Sequence, residues 1–307
     1  MSNKIVFMGT PEFSVPTLKL LVKSSFKVEC VYTQPPKKSL RGQKINPSPV
    51  QKAAEEFNIR IRNPVSLKNK EEYEFFKSLS PKIVIVVAYG QIIPKNFLNL
   101  SDKIFINLHP SILPKWRGAA PIQRSIMNSD KETGISIMKI TEDLDSGPCM
   151  KQIKVNIDEQ TDAKILSEKL SKLGAETIVE CINLINKNKH KFINQNHENA
   201  TYAKKIKKSE SKIDWNNYAR NILAKINALN PYPGAWFEYS GERYKIFKAT
   251  IKENNHGIPG EVINDELTVK CRDKSIQILE IQKQGKSRLS LEKFLIGNKI
   301  TLGKNLI

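Results

Sequence analysis

The sequence predicts an α/β fold: a doubly wound, mostly parallel Rossmann-like sheet with a second, smaller β-barrel (OB-like) domain. Three observations carry that expectation. Apolar runs of strand length alternate with segments of helical periodicity over about the first 185 residues. One run, Ile83 to Ala88 (IVIVVA), is apolar throughout, as in a strand buried on both faces. Beyond the middle of the chain the pattern changes to short alternating segments separated by Gly, Asn and Asp.

Taken in order, residues 3–8 (NKIVFM) read as the first strand and Gly9-Thr10-Pro11 as a turn. Val15, Leu18, Leu21 and Val22 fall at helical spacing between Ser14 and Lys23, and residues 27–33 form the next strand. This βαβ unit lacks GxGxxG, so it has no dinucleotide-binding signature. Residues 34–50 (QPPKKSLRGQKINPSPV) contain Lys37, Lys38, Arg41 and Lys44 and no acid. They read as a long loop, and a loop of this length in a compact domain is usually functional or disordered. Helices are expected over Val50–Phe57 and Glu71–Leu79, with a short strand at Ile59–Ile61. Ile104-Phe105-Ile106 opens the strand that carries Asn107. A helix over Ala120–Met127, strands over Thr133–Ile140 and Met150–Val155, and a long amphipathic helix over Ala163–Leu184 complete the first domain. In the last third a helix over Trp215–Leu229 is stopped by Asn230-Pro231-Tyr232-Pro233-Gly234. Five short strands follow, at Ala235–Tyr239, Tyr244–Thr250, Glu261–Ile263, Leu267–Cys271 and Ile276–Ile281.

The chain has 307 residues, enough for two domains with cores of their own. The expected division is a catalytic domain at 1–189, a basic Lys- and Asn-rich linker at 190–208, and a C-terminal barrel at 209–307. A formal charge of +19, with a pI near 9.6, points to a polyanionic partner, most often nucleic acid. A general drift toward Lys and Asn would give the same charge without function, but the excess is densest after position 200. No apolar run approaches the ~20 residues of a membrane helix. The N-terminus has no signal-peptide pattern, so a cytoplasmic protein is expected. The cysteines (Cys30, Cys149, Cys181, Cys271) form no CxxC pair, and no metal site is expected. No coiled-coil seam is present, and a monomer is expected.

The stretch Ile104 to Gln123, IFINLHPSILPKWRGAAPIQ, has the layout of a site at the carboxyl edge of a parallel sheet. Asn107 and His109 lie two residues apart, so on a strand they share one face. Both can donate hydrogen bonds to an oxygen that becomes negative during acyl transfer. His109 is the one histidine at a strand end within the expected sheet. Asp145, in the later loop TEDLDSGP, is a carboxylate able to keep an imidazole charged or oriented. Glu142 and Asp143 lie beside it, and a turn residue ahead of Gly147 is the plainer reading of Asp145. With no Ser or Cys nucleophile next to this trio, direct transfer between two bound substrates is the chemistry indicated. Trp116 reads as a packing residue, and Arg117 as the partner of a nearby acid that fixes the loop; direct substrate contact is the other reading.

The N-x-H at 107–109, the following SILPKWRGAAPIQ and the later LDSG resemble the formyltransferases that use 10-formyltetrahydrofolate. FMGTPEF (7–13), TQPP (33–36), PSPV (47–50), VVAYGQIIP (86–94), WRGAAPIQRSI (116–126), TYAKKIKKSESKIDW (201–215) and NPYPGAW (230–236) extend the resemblance over nearly the whole chain, to the methionyl-tRNA formyltransferase family. N-x-H with LDSG marks only the wider superfamily; the other motifs are specific. Ile112 stands where the family more often has Leu, and Pro148 follows LDSG where an acidic residue is frequent. The resemblance implies formyl transfer from 10-formyltetrahydrofolate, a consumed co-substrate, to the α-amino group of methionyl initiator tRNA. Asn107, His109 and Asp145 would be catalytic. Ser111, Ile112, Leu113, Pro114, Ala88 and Tyr89 would line the folate site, the last two through backbone groups. Arg41, with Lys38 and Lys44, would contact the tRNA acceptor end, and the barrel its phosphates. Two alternatives remain at this point: a formyltransferase of the same superfamily acting on an amino sugar or a glycinamide nucleotide, and a nucleic-acid-binding protein whose Rossmann-like half is no longer catalytic.

Overall fold

The structure is a computed structural model that describes residues 4–24, 26–39, 44–100, 103–253, 256–298 and 300–306. The chain forms two compact units. One holds the chain up to Gly118 with Thr133–Val155 and Ser167–Tyr202; the other holds Ala119–Glu132, Asn156–Leu166 and the chain from Ala203 on. Residues 190–202, expected as part of a linker, are thus integral to the first unit.

The first unit is built on seven strands: β1 (Lys4–Gly9), β2 (Lys27–Tyr32), β3 (Ile61–Arg62), β4 (Ile83–Val87), β5 (Ile104–His109), β6 (Glu132–Lys139) and β7 (Cys149–Asn156). Their spatial order is β7-β6-β5-β4-β1-β2-β3. Pairing is parallel from β3 through β5, and β6 runs antiparallel to β5. This is the doubly wound, mostly parallel sheet the alternation predicts. The expected apolar run is central strand β4, buried along its whole length.

Helix starts are set by caps. Ser48 accepts from the Gln51 amide at 2.9 Å and Pro49 opens Pro49–Glu56; Asn69 accepts from the Glu71 amide at 2.9 Å ahead of Lys70–Leu79. Within 34–50 the structure gives an antiparallel hairpin, Lys37–Ser39 with Lys44–Asn46, in place of a plain loop. On one face of the sheet, Phe76 meets the rings of Phe97 and Phe105 at centroid distances of 4.9 and 5.9 Å. Phe105 shares the face of β5 that carries Asn107 and His109, so the same strand is anchored in the core and bears polar groups at its carboxyl end.

The carboxyl edge is fastened where β1 and β4 end. A Cβ on Gly9 would lie 2.8 Å from Phe7 Cε1 and 3.0 Å from the Val87 carbonyl oxygen, so glycine allows the strand ends to approach. Ser14 Oγ then donates to the Val87 carbonyl at 2.6 Å, and Thr10 Oγ1 to that of Tyr89 at 2.7 Å.

The second unit has β8 (Ala235–Tyr239), β9 (Glu242–Lys252), β10 (Thr268–Lys270), β11 (Ser275–Lys283) and β12 (Leu289–Ser290), in the order β8-β9-β11-β10 with β12 on β11, all antiparallel. Register shifts between Ile246 and Ala249 bend β9, and the sheet curls into a half-barrel. Its core, including Trp215, Phe237, Tyr244 and Phe294, is covered by the helix Ala219–Leu229. That helix begins later than the expected Trp215, because Asp273 caps the Ala219 amide at 2.8 Å. The expected strand at Glu261–Ile263 is reduced to two bridges, Glu261 with Asn305 and Val262 with Val269.

Phe76 anchors the face beneath the site. Phe76→Ala is expected to cost about 3–5 kcal/mol, read as a lowered urea midpoint with unchanged slope. An unchanged midpoint would show that the ring cluster does not hold this face.

Candidate active site

Strand β5 delivers Asn107 and His109 to one face at the edge of the sheet, opposite Met138 and Ser136 of β6. Asn107 is half-buried, and its side-chain amide has no hydrogen-bond partner among the described residues. His109 is only 4% exposed. Its Nε2 lies 2.9 Å from the Trp116 carbonyl oxygen. A carbonyl only accepts, so Nε2 carries a proton. Nδ1 faces Asp145 Oδ2 at 3.6 Å, beyond hydrogen-bond length.

Asp145 is held by its own loop. Its Oδ2 accepts from the Gly118 amide at 2.8 Å, and its backbone is left-handed at φ +48°. A Cβ on Gly147 would lie 1.9 Å from the Lys139 carbonyl oxygen, so the glycine of LDSG lets the loop lie directly on the end of β6. The neighbouring acids turn elsewhere: Glu142 pairs with Lys95 at 2.8 Å, and Asp143 offers its carbonyl to Ser146.

The loop after His109 is strapped to the sheet. Ser136 Oγ donates to the Ser111 carbonyl at 2.7 Å and accepts from the Leu113 amide at 3.0 Å; Gln152 Nε2 donates to the Leu113 carbonyl at 2.8 Å. Ser111 is fully buried, its hydroxyl donating to the Lys115 carbonyl at 2.6 Å, and Leu113 packs on Met138 and Cys149. Tyr89 is a core ring, and its carbonyl is occupied by Thr10 and Gln34. Of the expected folate-lining set, Ile112 and Pro114 (half-buried) and Ala88 (exposed, φ +47°) therefore present side-chain surface, while Ser111, Leu113 and Tyr89 serve from within. Arg41 lies outside the described residues; Lys38 and Lys44 belong to the two strands of the hairpin.

Among the described residues, no activated nucleophile accompanies the trio. Burial pushes the Cys149 thiol up to about 11, with Arg117 opposing only weakly, so it is protonated near neutrality. The Ser111 and Ser136 hydroxyls are spent on backbone carbonyls. Arg117 is buried, and its expected acidic partner is instead an amide: Nε and Nη2 donate to Gln195 Oε1 at 3.1 and 2.6 Å, and Nη2 reaches His197 Nδ1 at 3.2 Å. Trp116, at φ +62°, donates its amide to Thr201 Oγ1 at 2.9 Å. Sequence reasoning missed Gln195 and Thr201. Thr201 opens the motif TYAKKIKKSESKIDW (201–215) but carried no site role there, and Gln195 had no local signal.

The formyl transferase family model matches residues 3–182, and that of the formyl transferase C-terminal domain residues 205–299. The methionyl-tRNA formyltransferase of Pelagibacter ubique (strain HTCC1062) is 54% identical over 308 residues, covering 100% of this chain and 99% of the relative. This chain belongs to the methionyl-tRNA formyltransferase family. The Mesorhizobium japonicum family member is 41% identical over 99% of each chain. Among solved structures, HypX of Aquifex aeolicus in complex with tetrahydrofolic acid superposes with a TM-score of 0.64 at 15% identity, over 98% of this chain and 50% of that one, a likeness of fold.

Gly147→Ala tests how the family's LDSG loop holds Asp145. With no room for a Cβ, the variant is expected to lose at least about tenfold in kcat, as displacement of a positioned group does, with binding of the formyl donor within twofold. Wild-type turnover would show that the loop tolerates the added methyl.

Proposed function

We propose that the chain transfers the formyl group of 10-formyltetrahydrofolate to the α-amino group of methionyl initiator tRNA, giving formylmethionyl-tRNA, and that Asn107, His109 and Asp145 carry the step. The observation that supports the chemistry is the Asn107 amide on the same strand face as a carboxylate-facing imidazole, at the carboxyl edge of the sheet, with neither a partner for the amide nor an activated nucleophile among the described residues. The amino nitrogen attacks the formyl carbon and a tetrahedral oxyanion forms. Asn107 Nδ2 donates to it, and one such donor is typically worth about 3–4 kcal/mol; His109, whose Nε2 is held by the Trp116 carbonyl, offers Nδ1 on the side that Asp145 faces. Collapse breaks the bond to N10 of the folate, and the proton lost by the amine ends on N10. Asp145 orients the imidazole and relays that proton, a role typically worth about 10²–10⁴-fold. Ile112, Pro114 and Ala88 give the donor its apolar walls.

For the tRNA we propose two surfaces. One is the Lys37–Asn46 hairpin region, with Lys38, Arg41 and Lys44 toward the acceptor end. The other lies on the outer face of β8 and β9. There the Arg243 guanidinium stacks 3.7 Å over the Trp236 ring, and Lys212 approaches the same ring at 5.6 Å. The Lys245 ammonium on this face donates to the Pro233 carbonyl at 2.7 Å, and burial, with the nearby charges of Arg243 and Lys208, pushes it down. No helix among the described residues is long and apolar enough to cross a membrane. We place the protein in the cytoplasm, where charged tRNA is formed, as a monomer. The catalytic reading is assigned to the first unit and tRNA holding to the second.

The test is formyl transfer to charged initiator tRNA, with an amino-sugar nucleotide as a parallel acceptor. Transfer to the tRNA alone is expected; transfer to the sugar alone would overturn the reading. Asn107→Ala and His109→Ala are each expected to lower kcat by about 10²–10³-fold, with filter-binding affinity for tRNA within twofold. Residual turnover with a large loss of affinity would count against these roles. Replacing Lys212 and Arg243 by Ala is expected to flatten the salt dependence of tRNA affinity by about 0.7–0.9 per lost phosphate contact. An unchanged slope would remove that face from the interface.

A further inference from the structure

Gln195 is 7% exposed, and every hydrogen-bonding valence of its side chain is used. Its Oε1 accepts twice from Arg117, at 3.1 and 2.6 Å. Its Nε2 donates to the carbonyls of Asp145 and Gly147, at 2.9 and 2.7 Å. An amide side chain is the group that can accept from a guanidinium and donate to two carbonyls at once; a carboxylate lacks the donors and an ammonium the acceptor.

These bonds close a ring. His109 Nε2 is fixed to the Trp116 carbonyl; Arg117, the next residue, is fixed through Gln195 to the backbone of Asp145; the Asp145 carboxylate returns to the Gly118 amide and to His109 Nδ1. Two residues of the ring, Trp116 at φ +62° and Asp145 at φ +48°, hold a left-handed backbone that non-glycine residues rarely adopt. Such conformations persist where surrounding bonds over-determine them. Here Thr201 holds the Trp116 amide at 2.9 Å and the Arg117 amide at 2.9 Å, and Gln195 holds the carbonyls of Asp145 and Gly147.

We propose that Gln195 is a positioning residue for formyl transfer: through Arg117 on one side and the Asp145–Gly147 backbone on the other, it sets the separation between the Asp145 carboxylate and the His109 ring. It touches neither substrate. The proposal rests on the assignment of His109 and Asp145 to the reaction. A shift of about 1 Å in such a pair costs on the order of 10²-fold, so the clamp acts on turnover rather than on binding.

The experiment compares Gln195→Glu, of the same shape but without the two donors, with Gln195→Ala, in the wild-type and Asp145→Asn backgrounds. Single-turnover formyl transfer and both substrate affinities are measured. In the wild-type background each variant is expected to lower the transfer rate by about 10–100-fold, with affinity for folate donor and tRNA within about twofold. In the Asp145→Asn background the same substitution is expected to cost less than about threefold, because the group it positions is gone. Equal factors in both backgrounds, wild-type rates, or loss of fold in both variants would overturn the proposal; the last would make Gln195 a folding determinant. If Asp145→Asn itself leaves transfer unchanged, it is the underlying catalytic assignment that fails.

Discussion

An imidazole with one nitrogen committed to a carbonyl has one nitrogen left for chemistry, and what faces that nitrogen decides what the ring can do. In this chain the Trp116 carbonyl takes Nε2 of His109, and Asp145 faces Nδ1 at 3.6 Å. The rest of the first unit serves that placement. β5 is anchored by Phe105 in an aromatic cluster and pairs with β4 and β6 on its two sides, so His109 has little freedom to move. The loop that returns as Trp116 is tied through Ser136, Gln152 and Thr201, and the loop that brings Asp145 lies on the Lys139 carbonyl through Gly147. Rigidity on this scale suits a reaction whose catalysis is electrostatic, because donors held in advance need no reorganisation as charge develops.

The same packing favours the proposed direct transfer, in which the formyl group never rests on the protein. Cys149, the thiol nearest this network, is raised out of its reactive range by burial, and the buried serines donate to backbone carbonyls. In the proposed reaction the two substrates meet directly. One is a folate, whose proposed walls are Ile112, Pro114 and Ala88. The other is a tRNA, and the face proposed to hold it is the one where Arg243 stacks on Trp236 beside Lys212.

Much of this is written locally in the chain. The strands with continuous or alternating apolar residues, the N-x-H at a strand end and the glycine of LDSG all follow from short-range pattern. What escapes the sequence is set by long-range bonds. The helix at Ala219 starts where Asp273, far along the chain, caps it. Gln195 lies in a Lys- and Asn-rich stretch held to the sheet by a single bridge between Cys149 and Ile193, too short a pairing to leave a periodicity. Arg117 looks like half of an ion pair, yet its site must also satisfy two loop carbonyls, and only an amide does both. The hairpin at 37–46 is hidden by its lysines, which give no alternation.

The most direct test of the account is whether the formyl group ever resides on the protein. Enzyme mixed with radiolabelled 10-formyltetrahydrofolate is quenched with and without charged initiator tRNA, and the label is followed by rapid mixing. The account predicts no label on the protein at any time and a single phase of transfer from folate to tRNA. Stoichiometric label on the protein, formed without tRNA and discharged on its addition, would contradict it.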